Sequence, residues 1–148
     1  MKNKICTDIL QSKKLSEILP LESADMHYTT WTILNGEFIV SLNQGSTIED
    51  LQEDYGNQII PCWSLAALIE LLPNKIVVNN ENYFLNFTKN NVKYRGIVTW
   101  DGQKCISTEA ENLLDACYNI IIKLKKDVNY TFVVTEKCVL FPSKEQRN

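Results

Sequence analysis

The chain has 148 residues, a formal net charge of −3, 45% hydrophobic residues and 22% charged ones. Those values exclude a disordered or low-complexity polymer and fit a single globular domain over 1–148, with a short flexible tail over about 142–148. A mildly acidic balance also argues against a nucleic-acid binder, whose phosphate contacts need clustered Lys and Arg.

Residues 1–8 carry positive charge with no apolar run behind them. That pattern predicts neither a signal peptide nor a membrane anchor, and so a cytoplasmic chain with no membrane partner. The five cysteines, Cys6, Cys62, Cys105, Cys117 and Cys138, are odd in number and scattered, with no C-x-x-C pair. They read as reduced, buried small hydrophobes. Over 7–19, Leu15, Ile18 and Leu19 form a short helical stripe that Pro20 stops. Residues 21–28 read as a connection.

Over 29–42 the Asn35-Gly36 pair predicts a hairpin with a two-residue turn. Such a turn sets Ile33 opposite Phe38 and Trp31 opposite Val40. Trp31, Ile33, Phe38, Val40 and Leu42 then share one buried face. Over 46–56, Ser46-Thr47-Ile48-Glu49 fits a capping box and Gly56 suits a helix C′ position.

The segment from Pro61 to Pro73 is almost wholly apolar and predicts the central core helix. Ser64 can cap its first turn, and Trp63 stands at staple spacing from Leu68. Leu65, Leu68, Ile69 and Leu72 make its stripe. Sheet follows over about 75–107. Tyr83, Leu85 and Phe87 alternate with Phe84, Asn86 and Thr88. Val92, Tyr94, Val98 and Trp100 share a face that also carries Gly96, where close packing or a bulge is expected. Asp101-Gly102 predicts a second hairpin with Val98 opposite Cys105.

Thr108-Glu109-Ala110-Glu111 fits another capping box, which predicts a long helix over 108–125. Ala110, Leu113, Leu114, Cys117, Ile121 and Leu124 form its stripe. Residues 130–134 should make a final strand. The fold class expected is α+β: antiparallel hairpins in a meander sheet, packed against the central apolar helix and the late amphipathic helix.

Candidate chemistry is sparse. His27 is the only histidine, so a Cys–His pair would join it to Cys62, the cysteine beside a helix start. Asp25 and His27, two apart, would share a strand face, but two ligands are too few for a metal. The five glycines are unclustered, so no phosphate loop is present and no cofactor is expected. Trp31, Trp63 and Trp100 would each bury on the order of 200 Å², which favours core filling over a ligand pocket. Lys89, Lys93, Arg95 and Lys104, with tyrosines interleaved, form a thin basic strip around the sheet.

Three stretches carry a resemblance. They are Gln11-Ser12-Lys13-Lys14-Leu15 leading to Ser23-Ala24-Asp25-Met26, then Ile60–Pro73 with its Pro-x-Trp-Ser-Leu core, then the late Leu- and Ile-rich helix. Together they resemble a family of small uncharacterised proteins carried by gut bacteria and their phages or integrated elements. Residues 43–58 and the chain after Tyr130 depart from that pattern. The resemblance implies a cytosolic bacterial accessory protein and transfers no site residue. The leading expectation is a non-catalytic interaction protein of a mobile element with a protein partner. A small-molecule-binding protein or enzyme, with a pocket near Trp63, Asp25 and His27, is the alternative. Weak binding of single-stranded nucleic acid through Lys93 and Arg95 is a third. A homo-oligomer stays open.

Overall fold

The computed structural model describes residues 4–32, 38–44 and 58–134, with side chains described over 4–29 and 59–134. The helix expected over 46–56, Cys138 and the expected tail lie outside these residues. Helix α1 is Ile9–Ser16. Its start is a capping box: Asp8 accepts from the Gln11 N–H, and the Gln11 side chain accepts from the Asp8 N–H. Leu15 and Leu19 are buried.

After a 3₁₀ turn at Leu21–Ser23, strands β1 (Met26–Thr32), β2 (Phe38–Gln44) and β3 (Gln58–Cys62) form an antiparallel sheet ordered β2-β1-β3. Its register corrects the expected hairpin. Trp31 lies opposite Ile39 and Thr32 opposite Phe38, one residue away from the pairing that a two-residue Asn35-Gly36 turn would impose. A one-residue slip exchanges faces, so Phe38, Val40 and Leu42 pair with Thr32, Thr30 and Tyr28 rather than joining Trp31.

Helix α2 (Leu65–Leu71) begins at Ser64, whose Oγ accepts from the Ala67 N–H. Leu72 leaves the helix in extended geometry, as a residue before proline must. Leu68 and Leu71 are its buried positions, whereas Ile69 of the expected stripe is half exposed.

Strands β4 (Lys75–Val78), β5 (Glu81–Lys89), β6 (Tyr94–Trp100) and β7 (Gln103–Ala110) follow as an antiparallel meander in chain order. Asn79 and Asn80 turn the first hairpin with φ of +52° and +67°. Asp101 and Gly102 turn the third, at +52° and +78°. The third hairpin starts as expected, with Trp100 opposite Gln103. A bulge then inserts Cys105 as an unmatched residue, so Val98 faces Ile106 and not Cys105.

Helix α3 is Leu113–Val128. The expected box at Thr108-Glu109-Ala110-Glu111 is not used, because β7 pairs with β6 as far as Ala110. Asn112 is the cap instead, accepting from the Asp115 N–H while its amide donates to the Asp115 carboxylate. The helix ends at left-handed Asn129. Residues 129–134 do not form the expected strand. Phe132 there enters the core, edge-on to Tyr130 with ring centroids 4.8 Å apart.

The fold is therefore α+β, with α3 lying on the inner face of the four-stranded sheet. Leu114, Cys117, Ile120, Ile121 and Leu124 meet Leu85, Val98 and Ile76 there, and Leu68, Leu71 and Trp63 close the core from α2. Gly96 permits the contact: a Cβ at that position would overlap Ile120. The starts of α1 and α3 are clasped together. Asp115 accepts from Lys4 at 2.8 Å and from Gln11 at 2.9 Å. Burial alone would raise the Asp115 carboxyl, but the bonds from Gln11, Lys4 and Asn112 outweigh it and hold the group below its usual range. No helix among the described residues is long and apolar enough to cross a membrane.

Candidate functional site

Asp25, Cys62 and Trp63 converge where β3 hands over to α2. The Asp25 carboxylate accepts from the Ser64 N–H at 2.9 Å and from the Ser64 hydroxyl. It thereby orients the hydroxyl that caps α2. Trp63 is 0% exposed, and its indole N–H donates to Ser23 Oγ at 2.8 Å. Its backbone is held from both sides by Thr7, through Thr7 N–H to Trp63 O and Trp63 N–H to Thr7 Oγ1. A buried ring with its N–H satisfied is a packing element.

Cys62 lies under the same junction, fully buried beside Cys6 and Met26. Burial pushes its thiol far above the ordinary value, and the neighbouring Cys6 and Asp25 push the same way. The helix start does not lower it. The Tyr28 hydroxyl sits 3.5 Å from Cys6 Sγ and donates to the Thr7 carbonyl. His27 is 3% exposed and pairs with Pro61 and Asn43, whereas Cys62 pairs with Met26. Adjacent positions point to opposite faces of the sheet, so His27 and Cys62 are not brought together. Burial lowers the pKa of the His27 ring. Among the described residues no three His, Cys, Asp or Glu side chains are grouped to hold a metal.

Two concavities are lined by described residues. A cavity of about 420 Å³ beside α2 is lined by Glu22, Ser23, Asp25, Ala66, Ala67, Glu70, Leu71 and Val134. It reaches Asp25 but neither His27 nor Trp63. A cleft of about 280 Å³ opens where the inner sheet face outruns the end of α3, lined by Ile76, Val78, Tyr83, Val98, Cys105, Ile106, Leu124, Asp127 and Val128. Near it Trp100 is 38% exposed, with its indole N–H donating to Glu81.

The outer face of the four-stranded sheet differs from both. Arg95 and Lys93 both reach Glu109, Arg95 as the direct cross-strand neighbour. Arg95 leads in holding the Glu109 carboxyl below its usual range, and Lys93 adds to it. Lys89 is not part of this face, because it stands over the Tyr94 ring. Sequence reasoning placed tyrosines here. The aromatic side chain exposed on this face is Phe84, at 47%, flanked in one cross-strand row by Lys75 and by Thr99 and Lys104. Val77 is exposed on the same side, and Ile97 is half buried. The signal for Phe84 and Lys75 was the period-2 alternation in β4 and β5, read for its buried half and not its exposed half.

Comparison with family models, curated proteins and solved structures gives no match.

Proposed function

We propose that the protein is a non-catalytic binding module that recognises its partner through the outer face of the four-stranded sheet. One observation carries this reading. The candidates that the sequence offered for covalent or acid–base chemistry serve the fold: Asp25 orients a cap, Cys62 and His27 are buried on opposite faces, and Trp63 fills the core. Phe84 and Val77 meanwhile stand exposed on the outer sheet face. The resemblance to proteins of phages and integrated elements adds an accessory role in such an element to the proposal.

Thiol labelling of the native chain tests the first half. Cys105 should react at once and Cys62 only at the rate of unfolding; rapid native labelling of Cys62 would overturn it. Capture from a host extract tests the second half. Phe84→Lys should abolish capture of whatever the wild-type chain retains, and undiminished capture would remove this face from the proposal.

A further inference from the structure

The charge on the outer sheet face runs against the charge of the chain. Lys75, Lys93, Arg95 and Lys104 share the face with one carboxylate at its strand positions among the described residues, Glu109, on a protein whose total is −3. Lys75 and Lys104 have no ion-pair partner among the described residues, and they flank the Phe84–Thr99 pair at the two edges of the sheet. Four strands at about 4.8 Å spacing put those edges roughly 14 Å apart. On β5 the exposed Phe84 ring has Asn82, Asn86 and Thr88 along its own strand, and Ser107 lies on β7, the strand of Lys104.

Resting on the reading of this face as a binding surface, we infer that its partner is single-stranded nucleic acid. Each part of the face has a counterpart in that ligand. An exposed ring on a flat sheet stacks against an unpaired base, which every base allows because each has a π-face. Cations at both edges lie where a backbone crossing the strands would carry its phosphates. Asparagine, serine and threonine on the same face, Thr99 among them between Phe84 and Lys104, offer donors and acceptors to base edges. Duplex DNA fits poorly, because its bases are already stacked and a flat four-stranded face does not enter a groove. The Arg95–Glu109 pair fixes one guanidinium in place and leaves Lys93 as surplus charge beside it.

Fluorescence anisotropy with the full chain and labelled oligonucleotides of about ten residues provides the test. At about 50 mM salt the single strand should bind more tightly than a duplex of the same sequence, with a log K against log salt slope near −2, the value for about three phosphate contacts. Phe84→Ala should weaken binding roughly tenfold or more, with the melting temperature unchanged. Lys75→Ala and Lys104→Ala should each flatten the slope by about 0.7. Lys13→Ala with Lys14→Ala, on α1, should change neither. Absence of binding at low salt, binding indifferent to Phe84→Ala, or equal competition by polyglutamate would each overturn the inference. If the oligonucleotide fails while extract capture still depends on Phe84, the ligand class is wrong and the binding module stands. If both fail, both readings fall.

Discussion

The two sheets use the same antiparallel pairing to opposite ends. In the three-stranded sheet both faces of β1 are buried over 26–29: Met26 with Cys6 and Cys62 on one side, His27 and Thr29 on the other. In the four-stranded sheet only one face is buried, under α3, and the other stays open with an aromatic ring at its centre. Reactive residue types therefore gather where solvent is excluded, and plain ones, Phe, Lys and Asn, sit where a partner can reach them. Residue chemistry alone points to the first sheet, and exposure points to the second. Burial on both faces is the property that separates them.

The sharpest break in that comparison is at the junction under the first sheet. Trp63→Ala should cost about 3–5 kcal/mol, because it empties a sealed site and leaves Ser23 without its donor; urea unfolding will read the loss. On the second sheet, Gly96→Ala should cost about 1–3 kcal/mol through collision with Ile120. Combined with Ile120→Ala, the two changes should be less harmful than their sum, and additivity in a double-mutant cycle would contradict the packing described.

Acid should separate the sheets further. Burial lowers the folded pKa of His27 from 6.5, so the unfolded chain takes up that proton first. The stability held above the unfolded value is then lost as pH falls through the folded one. The wild-type chain should weaken on acidification just below pH 6.5, before carboxylates titrate, and His27→Gln should flatten that part of the curve in thermal melts. The smallest effect belongs to the open face. Phe84→Ala should alter stability by no more than about 0.5 kcal/mol, and a larger loss would mean the ring is covered.

Local chemistry was legible in the chain. Ser64 as a cap, Asp101-Gly102 as a turn and the apolar alternation of β5 are each decided within a few residues. What could not be read depends on partners distant in sequence. Thr108 and Glu109 make an acceptable helix start until Arg95 is placed opposite Glu109, and only then does the strand win and Asn112 become the cap. The Cys105 bulge and the β1–β2 register are likewise properties of pairs. Of the candidate site, Lys93, Arg95 and Lys104 were found, whereas Lys75 and Phe84 were not, because the alternation of β4 and β5 speaks first for the half that faces the core.

The clasp between Lys4 and Asp115 joins positions 111 residues apart in the chain. Closing so long a loop has an entropic cost that rises with the logarithm of its length, so the ends meet only after the intervening chain has condensed. The contact between the starts of α1 and α3 is therefore expected to form after the local hairpins of the meander, and Lys4→Ala should loosen that contact in native-state hydrogen exchange without loosening β5 or β6.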